Sequence, residues 1–441
     1  MAVDRRTFLS RAGLTAVASG LAARSLPAAA PLASAEGGVD WTAVPALFDL
    51  APGWIHLATF FLASHPKPVR EAIDEYRRRL DANPLWLEEA AFAEGHEHIQ
   101  DRLKAAIAPF IGGRPDEIAL VPNTTTGLAL VYNGLRLKPG QEILTTEHDH
   151  YVHHEAIRLA TDKNGASMRK IALHEGAARA SEAEMVDRLR RAITPRTRAV
   201  GLTWVHSSTG LRLPIRSLAA AVEAANAGRD ESDRCLLVVD GVHGLGCVDE
   251  SPAALGCDFF AAGTHKWMFG PRGTGIVWGR ADAWPHTRPT VPSFDSLEPF
   301  VRWAAGEPLD PRTRAAWVSP GGFYAFEHQW GVEAAFRLHE ELGRPRVAKR
   351  IAELNGRLRT GLSGMKHVTL HTPLAPELAA GIVCFEVAGL APAQVVERLK
   401  ARRIVASTTP YAVSYARLAA GIMVSPDEIE TTLLEIRALA G

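Results

Sequence analysis

The segment Asp258-Phe-Phe-Ala-Ala-Gly-Thr-His-Lys-Trp267 decides the fold, together with Leu236-Leu-Val-Val-Asp240 shortly before it. Each is a short apolar run that ends in polar or charged residues, as buried strands do where they meet a ligand. Similar runs predict strands at 117–121, 142–146, 168–172, 199–205, 236–239, 258–262 and 275–278. Because these runs are almost continuously apolar, we expect an α/β protein with a mainly parallel seven-stranded sheet covered by helices on both faces.

Two of these strands end in groups that suit one cofactor. A lysine just past a buried strand, here Lys266, can form a Schiff base with pyridoxal phosphate, and an aspartate after a neighbouring strand, here Asp240, can keep the pyridinium nitrogen protonated. Taken alone, Lys266 would be a solvated lysine and Asp240 a helix cap. Taken together they predict a pyridoxal phosphate enzyme that acts on an amino acid.

Other polar groups lie where such an enzyme needs them. Thr124 and Thr125 belong to a polar turn between a predicted strand and a predicted helix, a position that binds phosphate. His148 follows the run 142–146 and could stack on the cofactor ring, although His150 competes for this role. Arg417 could hold a substrate carboxylate through two hydrogen bonds, or it could form a surface ion pair.

With these motifs in this order, the chain from about Trp41 to the C-terminus resembles the class V aminotransferases of fold type I. That family includes cysteine desulfurases, selenocysteine lyase and isopenicillin N epimerase. The resemblance implies that Lys266 carries the cofactor, that Asp240 binds the pyridinium nitrogen and that Arg417 binds the substrate. It further implies contacts from Val242 under the ring, His243 at the ring oxygen, His148 stacked on the ring, Thr124, Thr125 and His265 at the phosphate, and Ser319 reaching the phosphate from the other subunit of a homodimer.

Three departures from the family pattern shape the expected chemistry. The loop 405–411, where cysteine desulfurases carry a mobile cysteine, has none, so we expect that the protein is not a persulfide-forming desulfurase. Gly263 replaces the usual hydroxyl residue, so either Thr264 takes over its phosphate contact or this contact is absent. Ser207 stands where an asparagine commonly faces the cofactor oxygen, which brings this segment closer to the epimerase branch.

By resemblance, the reaction proceeds through an external aldimine and an α-carbanion of an amino acid. We expect a reaction like that of isopenicillin N epimerase. The alternatives are transamination and cleavage of a carbon–sulfur or carbon–selenium bond. A non-catalytic exported binding protein is the remaining alternative, which the intact Lys266 and Asp240 disfavour. A fold type I enzyme also has a smaller α+β domain, so we expect segment boundaries at 36–70 for its N-terminal part, 71–320 for the large domain and 321–441 for its C-terminal part.

The N-terminus has the features of a twin-arginine export signal spanning residues 1–35. Asp4-Arg-Arg-Thr-Phe-Leu-Ser10 precedes a weakly apolar stretch at 12–23 and the candidate cleavage site Ala33-Ser-Ala35. The alternative is a chance Arg-Arg pair. We therefore expect export by the twin-arginine machinery to the periplasm or the exterior, and no stable membrane anchor because the apolar stretch is short.

Charge and cysteine content exclude other classes of protein. Lys plus Arg and Asp plus Glu number 49 each, and no basic run is interleaved with aromatic residues, so nucleic acid is not an expected partner. The four cysteines show no CxxC spacing. The His-rich stretch 147–154 lacks companion ligands at metal-binding spacing, so no metal is expected.

Overall fold

A computed structural model describes residues 38–92 and 98–440 of the 441-residue chain. The predicted export signal at 1–35 lies outside these described residues. Within them, no helix is long and apolar enough to cross a membrane.

The strands, in chain order, are β1 (Ile55–His56), β2 (Ile118–Val121), β3 (Glu142–Thr146), β4 (Ser167–Ile171), β5 (Thr197–Thr203), β6 (Leu236–Asp240), β7 (Phe259–Gly263), β8 (Gly275–Gly279), β9 (Val368–Leu370), β10 (Val383–Val387), β11 (Ile404–Val405), β12 (Ser407–Thr408) and β13 (Ala416–Leu418). The helices are α1 (Lys67–Ala82), α2 (Trp86–Phe92), α3 (Ile99–Ile111), α4 (Thr124–Gly134), α5 (Tyr151–Asn164), α6 (Glu182–Ala192), α7 (Ile215–Ala224), α8 (Glu298–Ala305), α9 (Ala315–Val318), α10 (Phe326–Leu342), α11 (Arg344–Ser363), α12 (Pro392–Ala401) and α13 (Pro426–Arg437). Strands and helices alternate through the central part of the chain, as in α/β proteins.

A seven-stranded sheet in the order β2-β8-β7-β6-β5-β3-β4 forms the centre of the molecule. Strand β8 runs antiparallel to β2 and β7, and the other neighbouring strands are parallel. The predicted fold class and the mainly parallel seven-stranded sheet are therefore confirmed.

Strand β6 shows why the strands read as continuous apolar runs. All five of its residues are buried. Leu237 and Val239 belong to one hydrophobic core, and Leu236 and Val238 belong to a second core. Because successive side chains of a strand point to opposite faces, each face of the sheet has its own core, and both kinds of position must be apolar.

The C-terminal part of the chain forms a second, four-stranded antiparallel sheet in the order β12-β13-β10-β9. Strand β1, near the N-terminus, pairs with β11, so the N-terminal segment joins this part of the structure. The domain boundaries expected from the sequence stay a prediction.

The helix-like sequence at 334–362 predicts one continuous helix, but the structure forms two helices there. Two helices, α10 and α11, meet at Gly343, whose φ of 82° ends one helix and begins the next. Glycine adopts this left-handed conformation without the steric cost that a Cβ imposes. The chain can therefore change direction at this residue.

The carboxyl ends of the parallel strands meet at one edge of the central sheet. Strand β2 leads at this edge into the turn before α4, and β6 ends there in Asp240. Strand β7 leads into Lys266. Ligands of open α/β sheets bind at this edge, which therefore contains the candidate site.

Candidate active site

Asp240 is the last residue of β6 and is only 3% exposed. The Val242 amide donates a 3.1 Å hydrogen bond to Oδ1. Burial raises the pKa of the Asp240 carboxyl, whereas nearby His153, the Val242 amide and Lys266 lower it. A buried carboxylate is stable when a cation lies beside it, and a protonated ring nitrogen would meet that need.

Lys266 is presented by a tight turn after β7. The Phe269 amide donates to the Lys266 carbonyl at 3.0 Å, and Phe269 has the uncommon φ of 54°. The Lys266 Nζ lies 3.2 Å from His243 Nε2. Burial lowers the pKa of the Lys266 amine to about 8, Asp240 opposes this change and Arg417 adds to it. A sizeable fraction of this amine is therefore neutral near neutral pH, the form that acts as a nucleophile or a base.

His243 and Val242 complete the wall next to the lysine, and both are buried. Burial lowers the pKa of His243 well below its ordinary value, and the charges of Lys266 and Arg417 lower it further. Its Nδ1 is buried and has no hydrogen-bond partner among the described residues. A neutral imidazole with one buried nitrogen unpaired is suited to a polar atom of a bound cofactor.

The polar turn before α4 lies beside the segment that leads into Lys266. Asn123 caps the helix, accepting a 2.8 Å hydrogen bond from the Thr126 amide, and Thr124 Oγ1 accepts a 2.7 Å bond from the Gly263 amide. A Cβ on Gly263 would lie 2.8 Å from His265 Nδ1 and 3.2 Å from Thr124 Oγ1. Glycine at 263 therefore lets β7 approach the turn closely. As a result, Thr124, the exposed Thr125 and His265 lie near the N-terminus of α4, a position that suits an anion.

A contact of Thr264 with the phosphate stays a prediction, and the observed contacts of this side chain favour the alternative that the contact is absent. Thr264 is fully buried, and its hydroxyl is hydrogen-bonded to the hydroxyl of Thr274, which donates to the Pro271 carbonyl. The side chain therefore points into the turn that carries Lys266 and stabilises it from within.

The stacking of His148 on the cofactor ring stays a prediction, with His150 as the alternative. The His148 ring is stacked on His174, with 3.9 Å between ring centroids and 7° between ring planes. The chain turns after β3 because the Asp149 carboxylate accepts the Thr146 amide, so the alternation of the strand does not extend to His148. His150, the N-cap of α5, has Asp240, Lys266 and Arg417 as electrostatic neighbours, which places it beside these site residues.

Arg417, in β13, is a buried cation with part of its hydrogen-bonding capacity unused. It donates to the Ser207 carbonyl at 2.8 Å and to Ser407 Oγ and the Thr408 carbonyl at 3.2 Å each, and its guanidinium lies 3.9 Å from the ring centre of Phe60. In the described part of the chain, no carboxylate lies within 4.0 Å of it. Guanidinium has five N–H donors, and the buried Nε has no partner among the described residues, so a ligand carboxylate can still be bound.

Tyr411 is a site residue that sequence analysis missed. Its hydroxyl lies 2.6 Å from Ser207 Oγ, and its ring packs edge-on against His150 with 5.8 Å between centroids. Ser207 therefore contacts Tyr411 through its hydroxyl and Arg417 through its carbonyl. The one signal for it in the sequence is that an aromatic residue ends the loop 405–411, which has no cysteine.

Ser319 lies farther along the structure, directly after α9. Its hydroxyl accepts a 3.0 Å bond from the Leu120 amide of β2 and donates a 2.7 Å bond to Asp295, which also forms a 2.6 Å ion pair with Lys104. Within its own subunit Ser319 supports the strand that leads into the phosphate turn. Its contact with the phosphate of another subunit stays a prediction.

All four cysteines are buried and unpaired. Burial raises the pKa of the Cys384 thiol to about 12, and it raises the pKa of the other three as well. Over residues 38–92 and 98–440, no group of three or more His, Cys, Asp or Glu side chains is arranged to hold a metal ion.

Comparisons with known proteins agree with this geometry. The family description "Aminotransferase class-V" matches residues 62–418. Isopenicillin N epimerase of Streptomyces clavuligerus is 27% identical over 421 residues, which cover 91% of this chain and 99% of the relative. A probable cysteine desulfurase of Halalkalibacterium halodurans is 24% identical over 361 residues, which cover 79% and 81% of the two chains.

A solved structure of a C-DES mutant, with glycine covalently linked to the pyridoxal phosphate cofactor, shares the fold. Its TM-score is 0.76 at 24% identity, covering 90% of this chain and 99% of that chain. Family and fold support pyridoxal phosphate as the cofactor, and the unpaired Nδ1 of His243 and the helix N-terminus at Thr124 fit it.

The expectation that the chain is not a persulfide-forming cysteine desulfurase is overturned. Several relatives are named as cysteine desulfurases or probable cysteine desulfurases. In addition, one structural neighbour is a cystine C–S lyase in complex with its reaction product, cysteine persulfide, at a TM-score of 0.75 and 24% identity over 89% of this chain. The absence of a cysteine from the loop 405–411 is therefore not a ground for excluding sulfur chemistry.

Proposed function

The chain belongs to the class V aminotransferase family, and from this membership we propose that it uses pyridoxal phosphate to remove the α-proton of an amino acid, with epimerisation as the net reaction. The observation that carries the proposal is the juxtaposition of Lys266, with its lowered amine pKa of about 8, and Arg417, a buried cation with no carboxylate partner among residues 38–92 and 98–440. The similarity to isopenicillin N epimerase over nearly the whole of that relative supports epimerisation. The comparisons do not favour transamination or a non-catalytic binding role.

The cofactor contacts follow from the described geometry. Lys266 would hold the aldehyde carbon covalently and Asp240 the ring nitrogen, and His243 would bind the ring oxygen. The other residues that would hold the cofactor are Val242, His150 and Ser207 around the ring, and Thr124, Thr125 and His265 at the phosphate. When bound, pyridoxal phosphate withdraws the electron pair that remains on the α-carbon after the proton leaves.

The protein's own groups then move one proton. Arg417 holds the substrate carboxylate, which fixes the α-carbon relative to Lys266. Once the substrate amino group has replaced Lys266 on the cofactor, the freed Lys266 amine would accept the α-proton at Nζ, and Asp240 would remain negatively charged beside the ring nitrogen. Return of a proton from solvent to the opposite face of the α-carbon inverts its configuration, so the substrate and the product are stereoisomers of one amino acid.

Removal of sulfur from an amino acid is the second candidate. The relatives named as cysteine desulfurases and the C–S lyase neighbour support it. It begins with the same proton transfer to Lys266 and differs in the bond that breaks next, which is a carbon–sulfur bond of the substrate.

Incubation of the holoenzyme with a panel of amino acids in deuterated buffer distinguishes the two reactions. Chiral chromatography with mass spectrometry would detect deuterium at the α-carbon and inversion of configuration, and a persulfide assay would detect released sulfur. We expect inversion with one deuterium for at least one amino acid of the panel. Sulfur release without inversion would replace epimerisation by the second candidate, and no α-deuterium with any amino acid would contradict both.

We also propose a homodimer with shared active sites. Support comes from Phe323, which is 84% exposed close to Ser319 and so leaves a large apolar side chain for another surface to cover. Sedimentation equilibrium should give twice the mass of the chain, and Phe323→Asp should shift the equilibrium towards monomer. A monomeric wild-type protein would contradict the proposal.

Export by the twin-arginine machinery to the periplasm or the exterior is a further proposal, supported by the Asp4-Arg-Arg-Thr-Phe-Leu-Ser10 motif. Residues 1–35 fused to a reporter that must fold before export should carry it across the membrane, and Arg5→Lys combined with Arg6→Lys should block this transport. Unchanged export by the double variant would point to another route.

A further inference from the structure

Tyr411 lies in the loop of a β-hairpin formed by β12 and β13. Three hydrogen bonds close this loop at its base: the Thr409 amide donates to the Tyr415 carbonyl at 2.9 Å, the Tyr415 amide donates to Thr409 Oγ1 at 2.9 Å, and Ser414 Oγ donates to the Thr409 carbonyl at 2.8 Å. The loop is therefore tied as a unit to the strand that carries Arg417.

The Tyr411 side chain connects this hairpin to the edge of the central sheet. Its hydroxyl contacts Ser207, which lies in the segment after β5 and is 204 positions away in the sequence. Its ring contacts His150 at the start of α5. Burial raises the pKa of the Tyr411 phenol to about 12, so the hydroxyl keeps its proton over the physiological range.

Ser207 is the element through which Tyr411 acts on Arg417. Its carbonyl accepts one of the guanidinium hydrogen bonds, and its hydroxyl is held by Tyr411. The other hydrogen bonds of the guanidinium go to Ser407 and Thr408, on the same hairpin as Tyr411. Arg417 thus bridges the hairpin and the Ser207 segment, and the Tyr411–Ser207 bond fastens these two parts together.

We propose that Tyr411 is the positioning residue that, through Ser207, fixes Arg417 in the orientation that receives the substrate carboxylate. The proposal rests on the assignment of Arg417 as the carboxylate site. Loss of the phenol hydroxyl leaves Ser207 without this restraint, so carboxylate binding weakens while Lys266 keeps its own contacts with His243 and its turn.

The test measures binding of propionate, a carboxylate without an amino group, to the holoenzyme by titration calorimetry. Tyr411→Phe removes only the hydroxyl, and we expect its propionate dissociation constant to rise by about 3- to 10-fold, as loss of one hydrogen bond between neutral groups produces. Ser207→Ala should have an effect of similar size. The double variant should be no weaker than either single variant, because both substitutions break the same bond.

Tyr415→Phe is the matched control, because Tyr415 lies on the same hairpin but stacks on His371, away from Ser207. It should bind propionate like the wild type. Thermal unfolding and the absorption spectrum of the bound cofactor should be the same for Tyr411→Phe and the wild type, and the KM for an amino-acid substrate should rise more than kcat falls.

The outcomes separate two kinds of failure. If Arg417→Ala binds propionate as tightly as the wild type, or if the wild type does not bind it, the carboxylate assignment itself is wrong. If Arg417→Ala abolishes binding while Tyr411→Phe leaves the dissociation constant unchanged, the assignment stands and the role of Tyr411 is refuted. Additive effects of Tyr411→Phe and Ser207→Ala would also refute that role.

Discussion

Lys266 and Arg417 are two buried cations of the same site, and the structure holds them in opposite ways. Within the described part of the chain, the amine of Lys266 has one polar side-chain contact, to His243, whereas the guanidinium of Arg417 has three acceptors and lies on the face of Phe60. Burial lowers the pKa of both groups. Lysine reaches its neutral form near pH 8, but arginine remains charged at every physiological pH. The same desolvation therefore produces a proton carrier at one position and a fixed charge at the other.

Lys266→Ala should have the largest effect. It removes the group that carries the proton, and we expect kcat to fall by about 10³-fold or more in steady-state assays. Lys163→Ala, at an exposed position of α5, is the matched control and should be fully active. Appreciable turnover by Lys266→Ala would show that another group carries the proton.

Asp240→Asn keeps the shape of the side chain and removes its charge. We expect kcat to fall by about 10²- to 10³-fold, because the charge that stabilises a protonated ring nitrogen is lost. Asp187→Asn, in an exposed ion pair with Arg191, should be unaffected. A near wild-type rate for Asp240→Asn would make the aspartate a structural residue.

Arg417→Lys tests whether the planar shape of the guanidinium, and not only its positive charge, is needed to bind the substrate carboxylate. Lysine retains the charge but cannot provide two parallel hydrogen bonds or replace the planar contact with Phe60. We expect KM to rise by about 10- to 100-fold and kcat to change less, since a charged hydrogen bond is lost in the bound state. A fall in kcat at constant KM would assign Arg417 to the chemical step instead.

The smallest effect should be the pH dependence of the rate at which the apoenzyme binds pyridoxal phosphate, which we expect to change about tenfold per pH unit below the lysine pKa. Because the Lys266 pKa is lowered to about 8, the neutral fraction of its amine rises with pH up to about 8 and is constant above it. The rate at which the apoenzyme binds pyridoxal phosphate, followed by absorbance, should show this profile. Because Asp240 raises the pKa of Lys266, Asp240→Asn should move the midpoint of this rate profile to lower pH. A midpoint near 10.5 for the wild type, the ordinary lysine value, would contradict the account.

Sequence patterns predicted the parts of this molecule that depend on local burial. The run 142–146 coincides with β3, and the ends of β6 and β7 put Asp240 and Lys266 at one edge, because parallel buried strands are apolar on both faces. Gly343 ended a helix that periodicity alone would have continued.

The parts of the site that the sequence did not predict depend on turns and on contacts between residues far apart in the chain. The resemblance implied that His148 stacks on the ring, and His150 competed because residues two apart share a face of a strand; a turn that Asp149 closes follows β3, and the His150 ring contacts Tyr411. Tyr411 meets Ser207 across 204 positions, a pairing for which no spacing in the sequence gives a signal.

The most direct test of the account is to locate the covalent bond to the cofactor. The holoenzyme would be reduced with borohydride, digested, and analysed by peptide mass spectrometry. We predict one pyridoxyl phosphate adduct per chain, on Lys266, in the segment that follows β7. An adduct on any other lysine, or a protein that takes up no pyridoxal phosphate, would contradict the central claim.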